Sequence, residues 1–261
     1  NNNMAQPLKC TELFSLTNYG VSPGTISFTN VTMESDKFIV CRDSVNNEHQ
    51  VIIFETGDPS KNFRRPIKAE SAIMNPDKKV LALKCGKTLQ IFDMENKAKL
   101  KTYQAPDEVI YWKWISPNTI GMVTETTVYH WSLEGTANPV KMFDRHTTLN
   151  GHQIINYAQN PDEKFLLLVG IAAKDNRVTG QMQLYSTERK VSQAIEGHAG
   201  AFMKYKVEGN ADFSNLVAFS CRNASGGRLH ILELGNPATG NQPFQKKTVE
   251  MTFPTDAGIT G

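Results

Sequence analysis

The chain has 261 residues, a formal net charge of +2 and 39% hydrophobic residues, the balance of a globular chain with room for a substantial core. Its first residues, "NNNMAQPLKC", are polar, which argues against a secretory signal, and its longest apolar run, "FLLLVGIAA" (165–173), is too short to span a bilayer. Cys10, Cys41, Cys85 and Cys221 are scattered with no CxxC pair, which argues against a zinc site or a disulfide framework and points to a reducing compartment.

In chain order the sequence reads as short strand-like runs separated by turn chemistry. The first group is "TISFTNVTM" (25–33), "KFIVC" (37–41), "VIIF" (51–54) and "RRPIK" (64–68). The second is "SAIMNP" (71–76), "KVLALK" (79–84), "LQIF" (89–92) and "KAKLKTY" (97–103). The third is "VIYWKWIS" (109–116), "TIGMVT" (119–124), "VYHW" (128–131) and "PVKMF" (139–143). The fourth is "QIINYA" (153–158), "KFLLLVG" (164–170), "MQLY" (182–185) and "KVSQAI" (190–195), and the fifth is "FMKYKVE" (202–208), "NLVAFS" (215–220), "LHIL" (229–232) and "FQKKTVE" (244–250). The third run of each group is an anchor, ending at Phe54, Phe92, Trp131, Tyr185 and Leu232, with spacings of 38, 39, 54 and 47 residues. Turns such as "NPD" at 75–77 and 160–162 and "SPN" at 116–118 punctuate the runs, and no stretch sustains a helical apolar period.

Four short strands per unit of roughly 40–50 residues predict an all-β fold, a β-propeller of four-stranded antiparallel blades. Such blades bury their faces by stacking on one another, so apolar residues appear on both faces of a strand. Five units are counted, in one propeller domain over residues 4–254. Residues 1–3 read as a tag remnant or frayed tail. From the repeat alone, either five blades close by themselves or the chain is the front part of a longer propeller.

No catalytic constellation is found. There is no G-x-S-x-G and no G-x-G-x-x-G, and "CGKT" (85–88) lacks the upstream glycine of a phosphate-binding loop, since position 81 is Leu81. The six histidines have no metal-ligand spacing, and His130 is expected to be a core or blade-edge histidine bonded to backbone. No cofactor and no metal is expected.

The small net charge conceals a segregation. Between Lys61 and Lys101 lie eleven basic and four acidic residues, a local excess of +7 that leaves −5 for the rest. A charge run is by default a solvated face. Here, however, Arg64–Arg65 end the first unit and Lys97–Lys101 the second, so stacked blades would place them on the two sides of one groove. Alternation puts Gln90 and Phe92 on the inter-blade face between them. Basic sides, an apolar floor and one amide suit an extended acidic–apolar peptide. Phe92 and Leu81 read first as inter-blade core, and nucleic acid is the competing ligand for a basic patch.

Eight segments carry a family resemblance: "TMESDKF" (32–38), "SAIMNP" (71–76), "GKTLQIF" (86–92), "WKWIS" (112–116), "PVKMFDRH" (139–146), "QIINY" (153–157), "RKVSQAIEGHA" (189–199) and "TGNQPFQKK" (239–247). In these the chain resembles the N-terminal domain of clathrin heavy chains. The resemblance implies a seven-bladed propeller of which about five blades are present, with residues 255–261 marking a truncation. It also implies a non-enzymatic domain that binds short linear motifs of endocytic adaptor and accessory proteins at the cytoplasmic face of coated pits and vesicles. Nucleic-acid binding and membrane insertion are not implied, and trimerisation and light-chain binding belong outside these residues. The family's clathrin-box site, between the first two blades, maps onto Arg65, Leu81, Thr88, Gln90, Phe92, Lys97 and Lys99. An axial site maps onto Phe28, Gln153, Ile155 and Ile171, and a third, between blades four and five, onto Phe165, Leu184, Arg189, Gln193 and Lys246. Asp93 departs from the family, which often has a neutral residue there; alternation points it away from Gln90 and Phe92. The alternative reading is a generic WD40-like scaffold for folded or nucleic-acid partners.

Overall fold

The computed structural model describes residues 9–235 and 246–251, so the expected tail at 1–3 and the expected end at 255–261 lie outside the described residues. The fold is all-β: five four-stranded antiparallel sheets, one per expected unit, arranged like propeller blades. The first sheet is β1 (Val31–Thr32), β2 (Phe38–Val45), β3 (Glu48–Glu55) and β4 (Phe63–Arg65). The second is β5 (Ser71–Met74), β6 (Val80–Cys85), β7 (Thr88–Asp93) and β8 (Ala98–Gln104). The third is β9 (Tyr111–Ser116), β10 (Thr119–Val123), β11 (Thr127–Ser132) and β12 (Val140–Asp144), and the fourth β13 (Gln153–Gln159), β14 (Phe165–Lys174), β15 (Arg177–Ser186) and β16 (Val191–Glu196). The fifth is β17 (Ala199–Tyr205), β18 (Ser214–Asn223), β19 (Gly226–Glu233) and β20 (Lys247–Met251). In every sheet consecutive strands pair in chain order.

Two expected strands are corrected. The run at 25–33 is strand only at Val31–Thr32, because Pro23–Thr25 form a 3-10 turn instead. Pro23 has no N–H for a ladder, and Thr25 donates its hydroxyl to the carbonyl of Ser22 (2.7 Å) and to buried Asp43 (2.9 Å), which holds the turn against β2. The fifth unit's first strand begins at Ala199 rather than Phe202 and stops at Tyr205.

The chain divides into two compact units, residues 1–106 and 107–261. In the first, the sheets stack through Phe38, Val40, Val51 and Ile53 on one side and Ala72, Met74, Leu81 and Leu83 on the other. The opposite face of the first sheet buries Cys41, Ile52 and Phe54 beneath Leu16, Tyr19 and Val21. The period of two is visible in "VIIF": Val51 and Ile53 face one way, Ile52 and Phe54 the other. In the second unit β14 does the same. Leu166 and Leu168 join Val128, Phe143 and Tyr157, whereas Leu167 and Val169 join Val217 and Phe219. Each such buried leucine is worth roughly 1.5–3 kcal/mol.

The "NPD" turns have a common lock. The Asn75 side-chain carbonyl accepts from the N–H groups of Asp77 and Lys78, both at 2.9 Å. That of Asn160 accepts from Lys164 (2.8 Å) and Phe165 (2.9 Å). These side-chain-to-backbone bonds fix where β6 and β14 begin. Among the described residues no helix is long and apolar enough to cross a membrane.

Candidate functional site

The first unit contains the predicted groove residues, and register decides their directions. Leu83 pairs with Gln90 and Leu81 with Phe92 across β6 and β7. All four therefore share the face that stacks on the first sheet, and Phe92 joins the inter-sheet cluster there with Phe63, Ile67 and Met94. On the other side of β7, Phe92 pairs with Lys99 and Gln90 with Thr102. The alternation argument thus held for Gln90 and Phe92. Leu81 is fully buried, so it supports Phe92 from beneath and presents no surface to a ligand.

Gln90 is only partly buried, and among the described residues its amide has no hydrogen-bond partner. Its neighbour Thr88 donates to the side-chain carbonyl of Gln104 at 2.7 Å. Asp93 turns to the β7–β8 corner, where it accepts from the N–H groups of Asn96 (2.9 Å) and Glu95 (3.0 Å) and from the Asn96 side chain (2.8 Å). The Asn96 N–H and amide hold its carboxyl below the usual range. Asp93 thus serves a turn that places Lys97 at φ 53°.

Arg65 sits on β4 and Lys99 on β8, the last strands of the two stacked sheets, with Lys97 in the turn just before β8. The Arg65 guanidinium lies 3.9 Å above the centre of the Phe63 ring, which keeps an exposed cation over an aromatic face. Lys97 and Lys99 are exposed, and among the described residues neither forms an ion pair. Burial lowers the Lys101 amine. Away from these groups, Lys79–Glu55 (3.2 Å), Lys37–Asp77 and the Thr32 hydroxyl on the carbonyl of Ala72 (2.6 Å) tie the two sheets together. Phe63, Ile67 and Met94 belong to the same apolar layer and were missed in the sequence. The signal was present: Phe63 stands two residues before Arg65, on the same side of the pleat.

The other predicted sets are placed as follows. Gln153 and Ile171 are cross-strand partners, and Ile155 lies at the bulge of β13, 37% exposed. Phe28, the fourth member of that set, is fully exposed in the other compact unit. In the third set, Leu184 and Phe165 pack in the layer between the fourth and fifth sheets, and Gln193 is the cross-strand partner of Leu184. Arg189, Gln193 and Lys246 are exposed.

His130 corrects an expectation. Its Nε2 meets the Tyr157 hydroxyl at 2.6 Å rather than a backbone group. Burial lowers its imidazole to about 4 and raises the Tyr157 phenol well above its ordinary value. The pair joins β11 to β13 inside the second unit, with Tyr157 fully buried and His130 half-buried.

No family model matches the chain. Curated relatives do. It is 57% identical over 256 residues to clathrin heavy chain 2 of Homo sapiens, covering 97% of this chain and 16% of that protein. Against the probable clathrin heavy chain 1 of Caenorhabditis elegans it is 56% identical over 253 residues, covering 97% and 15%. Over this stretch the chain is a clathrin heavy chain homologue. The clathrin heavy chain of Drosophila melanogaster gives 54% over 251 residues, with 96% of this chain and 15% of that one. The chain therefore spans about one sixth of the length of the clathrin heavy chains it matches, corresponding to their N-terminal part. Solved structures show the fold alone. A chain of the mitotic checkpoint complex superposes with a TM-score of 0.53 at 17% identity, over 96% of this chain and 75% of that one. The complex of KlAtg21 with the coiled coil of AgAtg16 gives 0.53 at 13%, over 85% and 70%.

Proposed function

We propose that this chain is a non-enzymatic peptide-docking domain of the clathrin coat. It takes clathrin-box-type motifs, leucine-rich and acidic, from endocytic adaptor and accessory proteins in the groove between the first two sheets, and so supports coated-vesicle formation at the cytoplasmic face of coated pits. Membership among clathrin heavy chain homologues supports the coat role. The observation that carries the groove is the partly buried amide of Gln90 beside Phe92, without a hydrogen-bond partner among the described residues, with Lys99, which forms no ion pair among them, across the strand from Phe92. A half-buried amide without a partner has donors and an acceptor ready for an extended backbone. Leucine anchors against Phe92 contribute roughly 1.5–3 kcal/mol each before ordering costs. Exposed ion pairs with Arg65, Lys97 and Lys99 add about 0.2–1 kcal/mol apiece and mainly steer approach.

The test is titration calorimetry of a leucine-rich acidic peptide at two salt concentrations. The parent should bind, more weakly at high salt, and the Gln90→Ala/Phe92→Ala variant should lose binding while staying folded by circular dichroism, its unfolding midpoint lowered only by the loss of Phe92 from the apolar layer. Equal binding by that variant would show the groove to be wrongly placed.

A further inference from the structure

We propose that the cleft between the β14–β15 and β18–β19 turns is a further docking site, one that takes a carboxylate-rich peptide segment. It is independent of the groove between the first two sheets and of the third predicted set. Phe165 pairs with Ser186 at one end of the β14–β15 hairpin, and Lys174 pairs with Arg177 at the other. About nine residue steps separate them, on the order of 30 Å.

The cleft has a volume of about 720 Å³ and is lined by Lys174, Arg177, Arg222 and His198 among others, with Asp175 its one acid. Asp175 and Asn176, at φ 51° and 59°, make the two-residue turn that sets Lys174 directly opposite Arg177. Like charges placed so closely across a ladder repel and destabilise the hairpin. Among the described residues neither cation has an ion-pair partner. Two anions of a ligand would relieve that repulsion, and the arginine fork would hold a carboxylate bidentately. The nearby Glu196 carboxylate is turned to the thiol of Cys221 at 3.5 Å.

The walls are held before any ligand arrives. The N–H of Gly197 donates to the carbonyl of Gly180 (3.1 Å) and that of His198 to the carbonyl of Ser220 (2.8 Å). The His198 ring spans the two sheets: Nε2 lies 2.7 Å from the carbonyl of Val178, and Nδ1 accepts from the N–H of Arg222 at 3.3 Å. A Cβ added to Gly180 would lie 2.2 Å from the oxygen of Gly197, so glycine is required for this approach. A preformed site lowers the ordering cost of binding. Between the cations the lining is partly apolar, with Val178 39% exposed beside Ala173 and Ala224. A recess walled by two hairpins admits peptide side chains, whereas a lipid surface is better met by a protruding cationic face, and the favoured occupant is therefore peptide.

The experiment measures fluorescence anisotropy of a fluorescein-labelled peptide alternating glutamate and alanine, which lacks the leucines the other groove needs. Lys174→Glu/Arg177→Glu, both in an exposed turn, should weaken binding by roughly tenfold or more. Lys174→Gln/Arg177→Gln should fall between that variant and the parent, and Lys97→Glu/Lys99→Glu should change binding by less than about threefold. Circular dichroism should show all three variants folded. Absence of binding by the parent, equal binding by the first variant, or greater loss in the Lys97/Lys99 variant overturns the proposal. So does binding to phosphatidylserine vesicles that depends on Lys174 and Arg177 when the peptide does not bind.

Discussion

Gln90 and Gln183 hold the same place in the repeat, the second residue of "LQIF" and of "MQLY", and each faces the sheet before its own. Gln183 is 1% exposed and fully engaged. Its Nε2 donates to the carbonyl of Asp144 (3.0 Å) and to the Ser192 hydroxyl (2.8 Å), and its Oε1 accepts from the N–H of His146 (2.7 Å). Gln90 has no such partners among the described residues. The cause lies in the preceding strand. After β12 the chain turns back through Arg145, which donates to the carbonyls of Thr124 and Leu149, each at 3.0 Å, and this turn brings the His146 N–H to Gln183. After β4 the chain continues through Pro66, which has no N–H to offer. One residue type is thus a structural bridge in one seam and an open amide in another, according to which backbone groups its neighbour leaves over.

The largest effect should come from removing the bridge. Gln183→Leu, at a buried position, leaves the His146 N–H without its acceptor and the Asp144 carbonyl without the amide that donates to it, and should cost roughly 2–4 kcal/mol in denaturant unfolding. The matching Gln90→Leu should change stability by less than about 0.5 kcal/mol. Equal losses would break the comparison.

Acid should probe the closed seam next. The His130 imidazole is held neutral down to about 4 by burial, against an ordinary value of 6.5. Between these two values the unfolded chain binds more protons than the folded one. The contribution is therefore fully present above pH 6.5 and is lost as pH falls toward 4, by roughly 3 kcal/mol over the window. His130→Asn should flatten that slope when unfolding midpoints are compared across the window; an unchanged slope would remove His130 as its source.

A smaller loss is expected from Gly121→Ala. The new Cβ would lie 2.4 Å from the ring of Tyr157, which is fully buried and bonded to His130, so the ring cannot step aside freely. Overpacking of this kind costs about 1–3 kcal/mol, read as a lowered thermal midpoint.

The alternation of "LQIF" and "VIIF" showed which residues face the neighbouring sheet, and register bore this out for Gln90 and Phe92. The asparagine turns were legible too, because Asn75 and Asn160 act on N–H groups within a few residues of themselves. Burial depth was less legible: Leu81 looks like a groove residue beside Phe92 but is sealed beneath it. The first strand was overread, since its pattern began at Thr25, which closes a 3-10 turn and whose hydroxyl is taken by Asp43 of β2, 18 residues along the chain.

The sequence by itself determined the five repeats, the inward and outward faces of their strands and the basic excess over residues 61–101. Those follow from a side-chain period of two and from turn chemistry, both local. Only the tertiary structure decided that Gln183 is bound and Gln90 open, that His130 meets Tyr157, and that Lys174 and Arg177 share a cleft with Arg222. These depend on donors and acceptors from other strands and sheets, and no window along the chain contains both partners.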